Sequence, residues 1–77
     1  MNNGIKKKLE ELIGKEVELK LEDNSSRVII NYPYRRGLYN LIVVRVEEDC
    51  VVLKWGSKTE IFQSIDHITQ LIITEVE

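Results

Sequence analysis

Hydrophobic positions along the chain fall into short runs with two different periods. Ile5, Leu9, Leu12 and Ile13 follow the i, i+4, i+7, i+8 spacing of one apolar stripe on a helix. The spacing predicts a helix over about 4–13, capped by Asn2 or Asn3 and ended where Gly14 can take a left-handed conformation. A helix this short does not persist alone in water, so its stripe must dock on the rest of the fold, over one open end of a sheet. The period then changes to two. Val17, Leu19 and Leu21 alternate with Glu16, Glu18, Lys20 and Glu22, which predicts a strand with one wet face.

Asp23, Asn24, Ser25 and Ser26 form a turn by composition, and Val28, Ile29 and Ile30 begin a second strand. Residues 31–37, NYPYRRG, break the pattern, because Pro33 lacks a donor and restricts Tyr32. That segment is either a loop or bulge inside the second strand or a crossing between two strands. Residues 38–55 are the most strongly β-like stretch, two runs of branched apolar residues joined by Glu47, Glu48 and Asp49. A turn at Gly56–Lys58 leads into a strand over 59–63, a corner at 64–67 and a last strand over 68–76. Leu71, Ile72 and Ile73 run consecutively, which implies cover on both faces of that strand. A helix followed by about five short strands predicts a mainly β fold, one small closed barrel over 15–76 in a single domain spanning 1–77. An OB-type barrel is the alternative.

Composition narrows the class. The chain has 77 residues, 43% hydrophobic and 31% charged, with four Gly and one Pro, which excludes disorder. A core of this size is marginal, and self-association is the supplement expected here, because Cys50 is the only cysteine and one His with one Cys makes no standard zinc site. No apolar run is long enough to span a membrane and no export signal follows the Lys6–Lys8 cluster, so a cytoplasmic protein is expected. The formal net charge is -2. Residues 1–36 carry eight basic and six acidic side chains, residues 37–77 three basic and seven acidic. That asymmetry can steer partners or set subunit contacts.

Three short segments, the last two of them the more distinctive, resemble a known family. Gly37 and Leu38 at the head of a long strand, then 48–53 (EDCVVL) and 65–68 (IDHI), resemble the Sm-like superfamily, its bacterial Hfq-type members above all. The resemblance covers most of residues 5–73. It implies an SH3-like five-stranded barrel with an N-terminal helix, assembled into rings or smaller oligomers through edge strands, and in many members binding single-stranded RNA. It places that role on Glu48, Asp49 and Cys50 in the second segment and Asp66, His67 and Ile68 in the third. Cys50 stands where the Hfq-type pattern has a stacking aromatic, and Asp66 where it has a basic residue; an acid there repels phosphate.

Read from residue chemistry, Tyr32, Tyr34, Arg35 and Arg36 are the leading binding candidates. Tyrosine stacks on bases, arginine pairs with phosphate, and both types dominate protein–protein hot spots. The plain alternative is a solvated loop whose tyrosines cover apolar barrel surface. Lys6, Lys7 and Lys8 could contact phosphate or simply form the wet side of the helix. His67 could meet a base or a subunit, or serve as a structural hydrogen-bonding group beside Asp66. The acidic turn could gather a cation in an oligomer, although such turns are most often solvated. Trp55 reads as a barrel or interface aromatic, and nothing in the sequence lowers the Cys50 pKa. No nucleophile–base set, phosphate loop or metal quartet is present, so neither an enzyme nor a cofactor is expected. The expectation is a self-associating binding module whose partner is single-stranded RNA or, for the same fold, another protein.

Overall fold

The computed structural model describes residues 3–22, 26–34 and 39–74. One helix, α1 (Asn3–Glu11), precedes six strands: β1 (Glu16–Leu21), β2 (Val28–Tyr32), β3 (Tyr39–Val46), β4 (Cys50–Trp55), β5 (Thr59–Ser64) and β6 (Ile68–Ile73). A 3-10 turn, Ile65–His67, separates β5 from β6. The strands form one open sheet in the order β5-β4-β3-β1-β2-β6. All neighbours are antiparallel except β2 and β6, which are parallel.

The strand count is six, not five, and the reason lies at residues 31–37. β1 pairs with β2 on one side and with β3 on the other. β2 and β3 are therefore two strands on opposite sides of β1, not one strand with a bulge inside it. The Tyr32–Pro33 peptide is cis. Arg35, Arg36, Gly37 and Leu38 lie outside the described residues, as do residues 1–2, 23–25 and 75–77.

The two edges of the sheet are joined by only the three residues of the 3-10 turn. Six strands laid flat would hold their edges about 24 Å apart, whereas the linker from Ser64 to Ile68 reaches about 14 Å at most. The sheet must therefore curl strongly, and the extents of 30 × 27 × 25 Å fit that shape. Curling does not lead to closure by pairing. Following the sheet order, β5 and β6 run in the same direction. Adjacent parallel strands need a crossover of about a dozen residues, and three residues cannot supply one.

The concave face holds the core. Val17, Leu19, Val28, Ile30, Leu41, Val43, Val51 and Leu53 come from four strands at alternating positions, and Ile65 and Ile68 close one side from the 3-10 turn and the start of β6. Leu9 and Leu12 dock α1 onto this cluster, with Ile5 partly buried beside them. Ile13, expected on the same stripe, is 47% exposed. The helix ends at Glu11 and the chain tightens into i→i−3 bonds, Leu12 N–H to Leu9 O (3.0 Å) and Lys15 N–H to Leu12 O (2.8 Å), which turn Ile13 outward. Gly14, at φ +86°, then directs its N–H to Val43 O at 2.7 Å and hands the chain to the sheet.

Two other expectations change. Glu18 does not lie on a wet face; it is 8% exposed on the outer side of β1. Among the described residues, Ile72 and Ile73 receive no double cover, and each is 42% exposed at the β6 edge, while Leu71 packs against the core.

Candidate functional site

The turn between β3 and β4 forms a corner with the 3-10 turn. Glu47 N–H bonds Cys50 O at 2.8 Å to close the turn, and Ile65 N–H bonds Asp49 O at 3.0 Å to bring the 3-10 turn alongside. Glu48, Asp49 and Cys50 thus meet the segment that carries Asp66 and His67, both exposed. Lys6 of α1 donates from Nζ to Glu48 O at 3.0 Å, so the helix clasps the same corner. One of the three amino-terminal lysines therefore has a structural task.

The electrostatics of the corner are set by Glu47. Its carboxylate accepts from Arg45 Nε at 2.9 Å and from Cys50 Sγ at 3.7 Å. The Arg45 guanidinium is held further toward its charged form by that hydrogen bond. Burial pushes the Cys50 thiol above its ordinary value, and the neighbouring Glu47 charge adds to this, so the thiolate is disfavoured. Arg45 also lies 5.9 Å from the centroid of the Phe62 ring, and the pair shelters Val52, which is fully buried on the outer face between them. Among the described residues, no cluster of three or more His, Cys, Asp or Glu side chains is arranged to hold a metal ion.

The tyrosines sit elsewhere. The 3-10 turn at the Asp49 corner leads into β6 at Ile68, whereas Tyr32 pairs with Ile73 at the other end of β6, which separates it from the corner. Tyr32 ends β2, packs partly against the core, and accepts Thr74 N–H at its carbonyl (2.8 Å). Part of its ring therefore serves the fold rather than an open stacking surface. Tyr34 is half-buried and donates its backbone N–H to Glu16 O at 3.3 Å, which pins the chain after β2 to β1. The structure thus unites Glu48 and Asp49 with Asp66 and His67, and gives Tyr32 and Tyr34 a separate site.

Two features escaped the sequence reading. Across the outer face, Glu18 lies in register with Asn31 on β2 and Asn40 on β3. Asn31 Nδ2 reaches Glu18 Oε1 at 3.5 Å, and Asn40 Oδ1 is buried without a hydrogen-bond partner among the described residues. Glu18 looked solvated because strict alternation shows which face a residue takes but not what covers that face. The second feature is an apolar recess of about 300 Å³ on the concave side, lined by Leu19, Leu21, Leu41, Trp55, Ile61 and Gln63. β1 and β5 are not sheet neighbours, so only the curl brings Leu21 and Ile61 to one cavity. Leu21 at 64% and Trp55 at 48% exposure form its rim.

The chain matches no protein-family model, no curated protein and no solved structure. Among the described residues, no helix is long and apolar enough to cross a membrane.

Proposed function

We propose that this chain is a non-enzymatic, Sm-like binding module of the cytoplasm that self-associates through its edge strands and takes single-stranded RNA as its ligand. The observation that carries the reading is the pair of open edges. β5 and β6 run in the same direction and are tied by three residues, so neither can satisfy the other, and each offers a row of backbone donors and acceptors to another chain. Setting β2 aside, the order β5-β4-β3-β1 with β6 last and a 3-10 turn before it suits an SH3-like five-stranded barrel; β2 then counts as a strand inserted between the first and the last. The RNA ligand comes from the resemblance of 48–53 and 65–68, and the bond from Ile65 to Asp49 supports it by setting those segments side by side.

A second reading has its own support. Glu47, Glu48, Asp49 and Asp66 crowd the corner with carboxylates, which repel phosphate, while Phe62, Trp55 and Leu21 expose apolar surface. These features suit a protein partner on the same fold. Titration of labelled single-stranded RNA at low and high salt separates the two. Under the RNA reading, binding weakens steeply with salt and is lost in Arg35→Ala/Arg36→Ala or in Tyr32→Ala/Tyr34→Ala where the Tyr-Arg segment holds the RNA strand, and in His67→Ala where the corner does. No binding at low salt refutes the RNA ligand and leaves the protein-interaction module.

A further inference from the structure

We propose that the β5 edge is a self-complementary docking surface on which a second copy of this chain adds its own β5, antiparallel, about a two-fold axis. The proposal rests on the self-association reading above and specifies the edge and the symmetry.

The backbone directions come first. Ile65 N–H bonds Asp49 O directly opposite it, which makes that pair a hydrogen-bonded position in line with the β4–β5 ladder. The alternation of an antiparallel ladder then turns the N–H and C=O groups of Thr59, Ile61 and Gln63 toward β4. Those of Glu60, Phe62 and Ser64 point away from the sheet. The side chains beside this free edge are apolar: Phe62 on the outer face is 58% exposed, and Ile61 on the inner face lines the recess with Trp55. An edge strand left alone in water is normally protected by charge, and β5 carries only Glu60.

A register centred on Phe62 uses all of these groups. Phe62 faces the partner's Phe62, a cross-strand aromatic pair, and Glu60 faces the partner's Ser64. Every outward N–H and C=O of Glu60, Phe62 and Ser64 then has a counterpart, and Ser64 O, which accepts from Gln63 Nε2 at 3.2 Å in the single chain, exchanges that side-chain bond for the partner's Glu60 N–H. Ile61 falls opposite the partner's Gln63, so the pairing also shields the β5 wall of the recess. At the two ends, Lys58 of one copy approaches Asp66 of the other, an attractive match in which both residues are exposed. Sliding the register breaks the match. Centring on Ile61 sets Glu60 against Phe62, and centring on Glu60 sets two carboxylates face to face. The β6 edge differs in chemistry: it exposes Ile72 and Ile73 and carries no charged side chain.

The test is native mass by light scattering and sedimentation over a concentration series, with circular dichroism to verify folding. The wild-type chain is expected at twice the monomer mass. Glu60→Pro removes an N–H that points away from β4, so the internal ladder survives and the mass is expected to fall by half. Phe62→Lys brings two like charges together at the two-fold axis and also removes the ring beside Arg45 that shelters Val52, so its folding is verified by circular dichroism; it also is expected to halve the mass. Ile73→Pro is the matching lesion at the other edge, since Thr74 N–H bonds Tyr32 O and alternation turns the Ile73 amide outward. It is expected to leave the dimer intact. An assembly larger than two, or one lost equally in Ile73→Pro, overturns the two-fold at β5 and leaves self-association through both edges standing. A folded wild-type monomer at every concentration overturns both. A folded Phe62→Lys variant that remains a dimer overturns the β5 surface alone.

Discussion

Replacing Leu9 with Ala tests how α1 belongs to this fold. The helix has nine residues, too few to persist without tertiary contacts, and Leu9 is fully buried where the helix meets the sheet core. A Leu-to-Ala change at such a site loses transfer free energy and leaves a cavity, together about 3 kcal/mol. The whole domain is expected to hold about 4–12 kcal/mol of stability, from ~0.05–0.15 kcal/mol per residue. One side chain on a peripheral helix therefore carries a large share. For a domain of this size each kcal/mol moves the melting temperature by about 4–8 °C, so Leu9→Ala should melt about 12–24 °C lower. Ile13→Ala is the control. The stripe in the sequence treats the two residues alike, but the tight turn after Glu11 leaves Ile13 47% exposed, and its loss should cost under about 1 kcal/mol. Thermal and urea unfolding followed by circular dichroism, at fixed protein concentration, measures both. Equal losses in the two variants, or a Leu9→Ala shift of only a few degrees, would refute the docking described here.

Asn31→Ala removes the amide that reaches the buried Glu18 carboxylate and should cost about 1–2 kcal/mol in the same unfolding assay, because a buried acceptor loses a donor; a neutral result would mean that Glu18 relies on other partners. The raised Cys50 pKa, caused first by burial and then by Glu47, makes a prediction with a definite sign. The unfolded thiol ionises before the folded one, so the stability that Cys50 contributes is fully present below the unfolded value of about 8.5 and is lost as pH rises from there through the folded value. Alkylation of Cys50 at mildly alkaline pH should be slower in the folded chain than in urea and faster in Glu47→Ala than in the wild type. Equal rates in the folded and unfolded chain would contradict the burial argument.

The alternation of 15–22, the branched runs of 38–55 and the stripe of Ile5, Leu9 and Leu12 were enough for a helix followed by short strands, because each reports a local period that one buried face imposes. Turns at Gly14 and Gly56 were equally legible, and both glycines have positive φ. The candidate site was legible only in part. The acidic turn and the IDHI corner could be picked out as segments, but their meeting depends on the bond from Ile65 to Asp49, a contact between residues 16 apart whose geometry no local pattern encodes. Tyr32, read as a stacking residue, spends part of its ring on the core because β2 ends against it.

Local periodicity, then, determined which residues form strands and which face each of them buries. It could not determine strand order. Whether residues 31–37 bulge or cross depends on which neighbours β1 selects, and that choice is made by pairing free energy across the whole sheet. Only the tertiary structure placed β2 between β1 and β6, set β5 and β6 in the same direction, and so left both edges open. The burial of Glu18 between Asn31 and Asn40, and the recess between Leu21 and Ile61, follow from that order and from the curl that three linking residues impose.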